Sequence, residues 1–207
     1  MSVVRFRHTH YTPGDDVKTI LDALPLTAQH SLDVEIFGLT DVVLVTNIIA
    51  AANRGVVVRV MNDHTQESGP ADKHAVQLLV DAGAVNGRIT VKVGSSEHGA
   101  IDHLKNLILD GVDGALADTS GVFYGSYNFS DSAQKQDNLA VFTNDPGEVQ
   151  QALDKFNHDW QYNHCKPEWQ VHSTHPPIAI PAPASTPEAA AAVLQAAVPQ
   201  VAEGVTA

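Results

Sequence analysis

Two short stretches decide how this chain reads: His103-Leu104-Lys105-Asn106-Leu107-Ile108-Leu109-Asp110, and Gly125-Ser126-Tyr127-Asn128. In a strand His103 and Lys105 face the same way, because side chains alternate with period two. An imidazole and an ammonium side by side suit a phosphate. Lys105 supplies charge, and His103 can attack phosphorus or carry a proton. The Gly-Ser-x-Asn turn adds a hydroxyl, an amide NH₂ and close backbone approach to the same anion.

Working outward, residues 1–165 alternate strand and helix. Strands are expected at 3–7, 32–37, 56–61, 89–93, 105–110, 122–124 and 139–142. Helices are expected at 15–24, at 41–54 with Asp41 as cap and Gly55 as stop, at 72–82 ended by Gly83, and at 146–162. Residues 32–37 alternate like a half-buried strand, whereas 56–61 is a β-branched run that suits a buried one. The expected fold class is α/β, a mixed sheet with helices on both faces. From 166 to 207 the composition changes. Residues 167–207 hold seven prolines and eleven alanines, with Glu168, Glu188 and Glu203 the only charges. This reads as a disordered linker or tail that carries a short helix at 187–198 behind Thr186-Pro187.

Composition excludes several classes. The 207 residues carry 12 Lys plus Arg against 24 Asp plus Glu, a net charge of −12. Such a surface repels phosphate backbones, so the chain is not a passive nucleic-acid coat. No apolar run approaches the roughly 18 residues of a membrane span, and stable membrane insertion is not expected. The first twenty residues lack the pattern of a secretory leader. With Cys165 as the single cysteine, no internal disulfide can form, and a cytoplasmic setting is expected.

The two stretches resemble the signature of the phospholipase D superfamily, His-x-Lys-x4-Asp followed by Gly-Ser-x-Asn. Residues 33–41, 50–55 and 56–63 resemble that family's first strand, its Ala-rich helix ending in Arg-Gly, and its next strand. The resemblance covers about residues 12–162 and implies the family's sandwich fold and phosphodiester chemistry. It implies that His103, Lys105, Asn128 and the motif acid carry the site, with Ser126 and Gly125 at the substrate. The family usually leaves six residues between that acid and Gly-Ser. Here Asp110 leaves fourteen and Asp118 leaves six. Asp110 is favoured, since Gly111 marks a strand end, and Asp118 stays the alternative. Asp137 stands where the family usually has Glu, and is expected to orient an imidazole.

The resemblance further implies catalysis through a phosphohistidine, with no metal and no cofactor. That chemistry uses two histidines, one to attack and one to protonate the leaving oxygen. This chain carries one motif; His164-Cys165-Lys166 has Val171 in place of the acid. Short single-motif members resembling bacterial endonucleases pair two chains, so a homodimer with its site on the two-fold axis is expected. A nucleic-acid phosphodiesterase is the favoured reading, and a phospholipase D or phosphatidyl transferase the alternative. Other residues are weaker candidates. His8 and His10 share a strand face without a third metal ligand, His98 reads as a loop residue, and Asp15 and Asp16 serve a helix dipole. Cys165 lacks a base, and Asn62-Asp63-His64 follows a strand end where substrate contacts often lie.

Overall fold

The computed structural model describes residues 5–112, 115–162 and 186–197. Seven strands form one mixed sheet: β1 (Arg7–Thr12), β2 (Ser31–Ile36), β3 (Val57–Asp63), β4 (Ile89–Gly94), β5 (Lys105–Val112), β6 (Ala115–Gly125) and β7 (Asn138–Thr143). Their order is β1-β7-β6-β5-β2-β3-β4, parallel at β2–β3 and β3–β4 and antiparallel elsewhere. One face carries α1 (Val17–Thr27), α2 (Val42–Asn53) and α3 (Pro70–Asn86); the other carries α4 (Pro146–Tyr162). The expected α/β sandwich is therefore the observed fold. Among the described residues, no helix is long and apolar enough to cross a membrane.

Local chemistry explains the boundaries. The Asp16 carboxylate accepts from the Thr19 amide at 3.1 Å and starts α1. Asp41 accepts from the amides of Val43 and Leu44 at 3.0 and 3.2 Å and starts α2. Asp72 binds two other elements to α3, accepting from the Leu39 amide at 2.7 Å and from Asn62 at 2.8 Å. The large core lies under α1 to α3, where Leu32, Val34, Ile36, Val58, Val60, Leu107 and Phe123 meet the helices. Under α4, Met61, Ile108 and Val122 pack on Val149 and Phe156.

Several boundaries differ from the sequence expectation. The first strand is Arg7–Thr12 rather than 3–7, because its pairing with β7 begins at Arg7–Thr143; residues 3 and 4 lie outside the described residues. β6 runs over 11 residues, far beyond 122–124, and makes a long hairpin with β5. β2 is buried on both faces, since α4 covers the side that alternation assigns to solvent. Residues 163–185 and 198–207, including His164-Cys165-Lys166 and most of the expected tail, lie outside the described residues. A helix does form at α5 (Pro187–Ala197). It is not detached, because Ala190 is buried against Ala23 and Leu26 of α1.

Gly83 does not end α3. The helix continues to Asn86, and Gly87 closes it at φ 65°. Gly83 is instead where α3 touches β4, since a Cβ there would sit 2.4 Å from the Ile89 carbonyl oxygen. A helical Gly→Ala change normally stabilises by up to about 1 kcal/mol. Gly83→Ala is expected to reverse that sign and destabilise by about 1–3 kcal/mol, because helix and strand must separate. Urea unfolding measures it; a gain in stability would show that α3 is free to shift.

Candidate active site

The site forms where β2 ends, β5 begins and the loop after β6 returns. Ile36 pairs with Lys105, and the Phe37 amide donates to the Leu104 carbonyl at 3.0 Å. This brings Phe37 between the two motif side chains, His103 and Lys105. Its ring centroid lies 4.7 Å from that of His103 and 4.9 Å from the Lys105 Nζ. His103 is exposed, whereas Lys105 is only 2% exposed. Its ammonium donates to the His103 carbonyl at 2.7 Å. Burial lowers the Lys105 pKa to about 8, against the opposing fields of Asp102 and Asp63.

The Gly-Ser-x-Asn turn is fastened to the same strand end. The Phe129 amide donates to the Gly38 carbonyl at 3.1 Å, and the Phe129 carbonyl accepts from the amides of Thr40 and Asp41 at 2.9 and 3.0 Å. Asn128 is thereby held against Gly38, where an added Cβ would come within 3.7 Å of its Oδ1 and 3.8 Å of Gln66 Oε1. That Oδ1 is buried and meets no hydrogen-bond donor among the described residues. Gly125 permits the turn. Its φ is +152°, and a Cβ would fall 2.1 Å from the Leu139 carbonyl oxygen. Ser126 is exposed, with its hydroxyl donating to Asn138 Oδ1 at 3.1 Å and accepting from the Leu139 amide at 3.0 Å. Tyr127 turns inward and is buried.

His103, Lys105, Gly125, Ser126 and Asn128 thus surround one end of the sheet. Asp110 does not join them. It lies at the other end of β5, on a bulge with φ 52°, and its Oδ1 accepts from the amides of Gln29, His30 and Ser31 at 2.9, 2.7 and 3.2 Å. The motif places Asp110 with the catalytic set, and the structure puts its carboxylate on these three amides, away from His103. It ties the start of β2 to β5. Asp118 is exposed on the long hairpin, which absorbs the wide spacing between Asp110 and Gly125. Asp137 is exposed just before β7, and among the described residues no hydrogen bond or ion pair joins it to His103.

Sequence reasoning missed Phe37, Gly38 and Gln66. They carry no motif, and only their place after a strand end marks them. His64, at the end of β3, stays with β4, its Nδ1 lying 3.1 Å from the Gly94 carbonyl oxygen. Asp63 contributes behind the site, accepting from the Asp102 amide at 2.5 Å. Among the described residues, no three His, Cys, Asp or Glu side chains converge to hold a metal ion.

The family described as "Cardiolipin synthase, PLD-like domain" matches residues 24–160. Among solved structures, the chain is similar to a phospholipase D family member, Nuc from Salmonella typhimurium. Identity is 23%, over 79% of this chain and 99% of that one, with a TM-score of 0.64. NucT from Helicobacter pylori is 18% identical over 77% of this chain and 98% of its own, with a TM-score of 0.61. A phosphatidylserine synthase from Haemophilus influenzae is 13% identical over 95% of this chain but 46% of its own, with a TM-score of 0.56. No curated protein matches this chain. An imidazole thus stands at the mouth of a mixed sheet, with an ammonium buried behind it. The family match covers both residues, and the chain belongs to the phospholipase D superfamily.

Two outcomes are expected from these placements. Asp110→Ala strands three amides and should cost about 2–4 kcal/mol in urea unfolding, leaving turnover per folded molecule intact. Loss of turnover at full stability would return Asp110 to the site. The lowered Lys105 value means the ammonium loses its proton as pH rises through about 8. The kcat/KM profile, which reports the free enzyme, should fall on an alkaline limb near that pH. Lys105→Arg keeps its charge and should remove that limb, even if overall activity drops. A limb that persists in Lys105→Arg belongs to another group.

Proposed function

We propose that this protein hydrolyses phosphodiester bonds in nucleic acid through a covalent phosphohistidine at His103. The observation that carries the reading is the pairing of an exposed His103 with a buried Lys105 across Phe37. In the first step an imidazole nitrogen of His103 attacks phosphorus. The P–N bond forms as the bond to the leaving oxygen breaks, and that oxygen takes a proton from a second imidazole. In the second step water attacks phosphorus and gives its proton to the second imidazole, and the P–N bond breaks. Lys105 and the amide of Asn128 stabilise the non-bridging oxygens as negative charge builds. Ser126 and the Gly125 backbone shape the rim.

A single chain brings one motif histidine to this place, so the second imidazole is assigned to the partner subunit's His103 in a homodimer. Isologous pairing presents the same patch twice and puts two copies at one phosphorus. Asp137, exposed at the same end of the sheet, is free to meet an imidazole in such an assembly. The nucleic-acid substrate is supported by size. Nuc and NucT are spanned over 99% and 98% of their length, whereas less than half of the phosphatidylserine synthase is spanned. The family description names a lipid-processing enzyme, and phospholipid is therefore the second reading.

The test is the purified full chain, in chelator, against a phosphodiester reporter, DNA, RNA and phosphatidylcholine vesicles. Hydrolysis of the reporter and of a nucleic acid is expected, with acid quench trapping labelled phosphate on the peptide that contains His103. His103→Ala should abolish turnover, and mixing it with Lys105→Ala should restore a fraction through sites drawn from two chains. Choline release from vesicles without nucleic-acid cleavage overturns the substrate. Inversion at a chiral phosphorus overturns the covalent step, and a fully active monomer overturns the pairing.

A further inference from the structure

Glu35 lies in the middle of β2 on the face under α4 and is 0% exposed. Neither of its carboxyl oxygens meets a hydrogen-bond donor among the described residues. Its titratable neighbours are chiefly acids. Asp102 comes from the segment before β5, and Asp159 comes from α4; both are buried. The surrounding charges are committed elsewhere. Arg59 of β3 forms a bidentate pair with Asp33 of β2 at 2.7 and 2.8 Å. Lys155 and His158 of α4 both bind Asp159, and Asp63 of β3 accepts from the Asp102 amide. The cross-strand partners of Glu35 are Met61 and Asn106. An ionised Glu35 would be an unpaired charge out of water beside two carboxylates, an arrangement with a large penalty. A proton on Glu35 removes that charge and supplies the donor its neighbours can accept.

We propose that Glu35 is a positioning residue: held as the neutral acid, it shares its one proton between the Asp102 and Asp159 carboxylates and so clamps α4 to the residue that precedes His103. Asp102 is the near end of a short bracket around His103. Its carboxylate accepts from the Leu104 amide at 3.3 Å, and the Leu104 carbonyl accepts from Phe37, whose ring faces the imidazole. The titration directions agree. Burial, then hydrogen bonding to Asp159, pushes Glu35 far above the ordinary carboxylate range. Burial opposes ionisation of Asp159, yet hydrogen bonds from Glu35, Lys155 and His158 hold it below its ordinary value. Burial raises Asp102, offset in part by the Leu104 amide and Glu35.

The effect on turnover rests on the reading of His103 as the reacting group, whereas the effects on titration and on His103 geometry do not. Glu35→Gln keeps the shape and a donor but carries no proton to lose. Glu35→Leu keeps the packing and loses the donor. A carboxyl raised on folding stabilises fully below the unfolded carboxylate range, and that contribution is lost as pH rises. The melting temperature of Glu35→Gln, relative to wild type, should therefore climb steadily from about pH 5 to about pH 9. A flat or falling difference shows that Glu35 is ionised in the fold and overturns the proposal. Glu35→Leu should shift the imidazole resonances of His103, which Glu35→Gln should leave in place. Unchanged resonances in Glu35→Leu overturn the clamp even if the titration result holds. In the turnover assay Glu35→Leu should lose about tenfold to a hundredfold in kcat at nearly unchanged KM, with Glu35→Gln restoring most of it. If wild type turns over no phosphodiester, the functional reading fails, and the melting and resonance results still decide the clamp.

Discussion

Lys105 carries an ammonium to a position where 2% of its surface meets water, and the end of the sheet is arranged around it. A buried cation is tolerated only where acceptors and fields replace hydration. Here the His103 carbonyl accepts one hydrogen bond, the Phe37 ring offers its face, and Asp63 and Asp102 supply negative field. Those acids do not cancel the desolvation, so the ammonium stays easier to deprotonate than a surface lysine. It retains a need for a negative partner, which under the proposed function an incoming phosphate oxygen fills. The net charge of −12 does not contradict this, since fields from distant surface acids are screened within about 10 Å while a buried ammonium acts at contact.

Backbone contacts, more than side-chain contacts, bring the two motif stretches together. Gly125 lets β6 approach β7 closely and release the chain into the turn. Phe129 then exchanges hydrogen bonds with Gly38, Thr40 and Asp41, so that Asn128 is carried by the strand end that also carries Phe37. Asp41 holds this junction from the other side by capping α2 while pairing with Lys18 of α1. The motif residues are thus set by a few main-chain bonds among Phe37, Gly38, Leu104 and Phe129.

This is also why the sequence was legible in part. His103, Lys105 and Asn128 announce themselves by chemistry and spacing, and their convergence follows once the alternating elements are placed in one sheet. The capping aspartates Asp16 and Asp41 act within a few residues, and both helices begin beside them. Asp110 is different. Its place in the motif suggests chemistry, but its work is to satisfy amides at residues 29–31, a contact that no local pattern encodes. Gly83 reads as a stop because glycine often ends helices, yet the constraint is the approach of Ile89 from the next strand. Glu35 and Asp33 look like the wet face of an alternating strand. Their burial comes from α4, which follows all seven strands in the sequence.

β2 shows how these long-range contacts determine the site. Its side chains divide cleanly, with Leu32, Val34 and Ile36 in the core under α1 to α3, and Asp33 and Glu35 under α4. A slip of one residue would put two acids into the apolar core and three apolar side chains among the polar groups. Hydrophobic sorting therefore fixes the register strongly, and polar contacts fasten it along the strand. Asp110 grips the amides at its start, Arg59 holds Asp33 in its middle, and the Leu104 carbonyl receives Phe37 at its end. With the register so held, Phe37 has one place to go, between His103 and Lys105. A bulge at the far end of β5 and a strand–helix packing face remote from His103 thus settle the geometry around that imidazole.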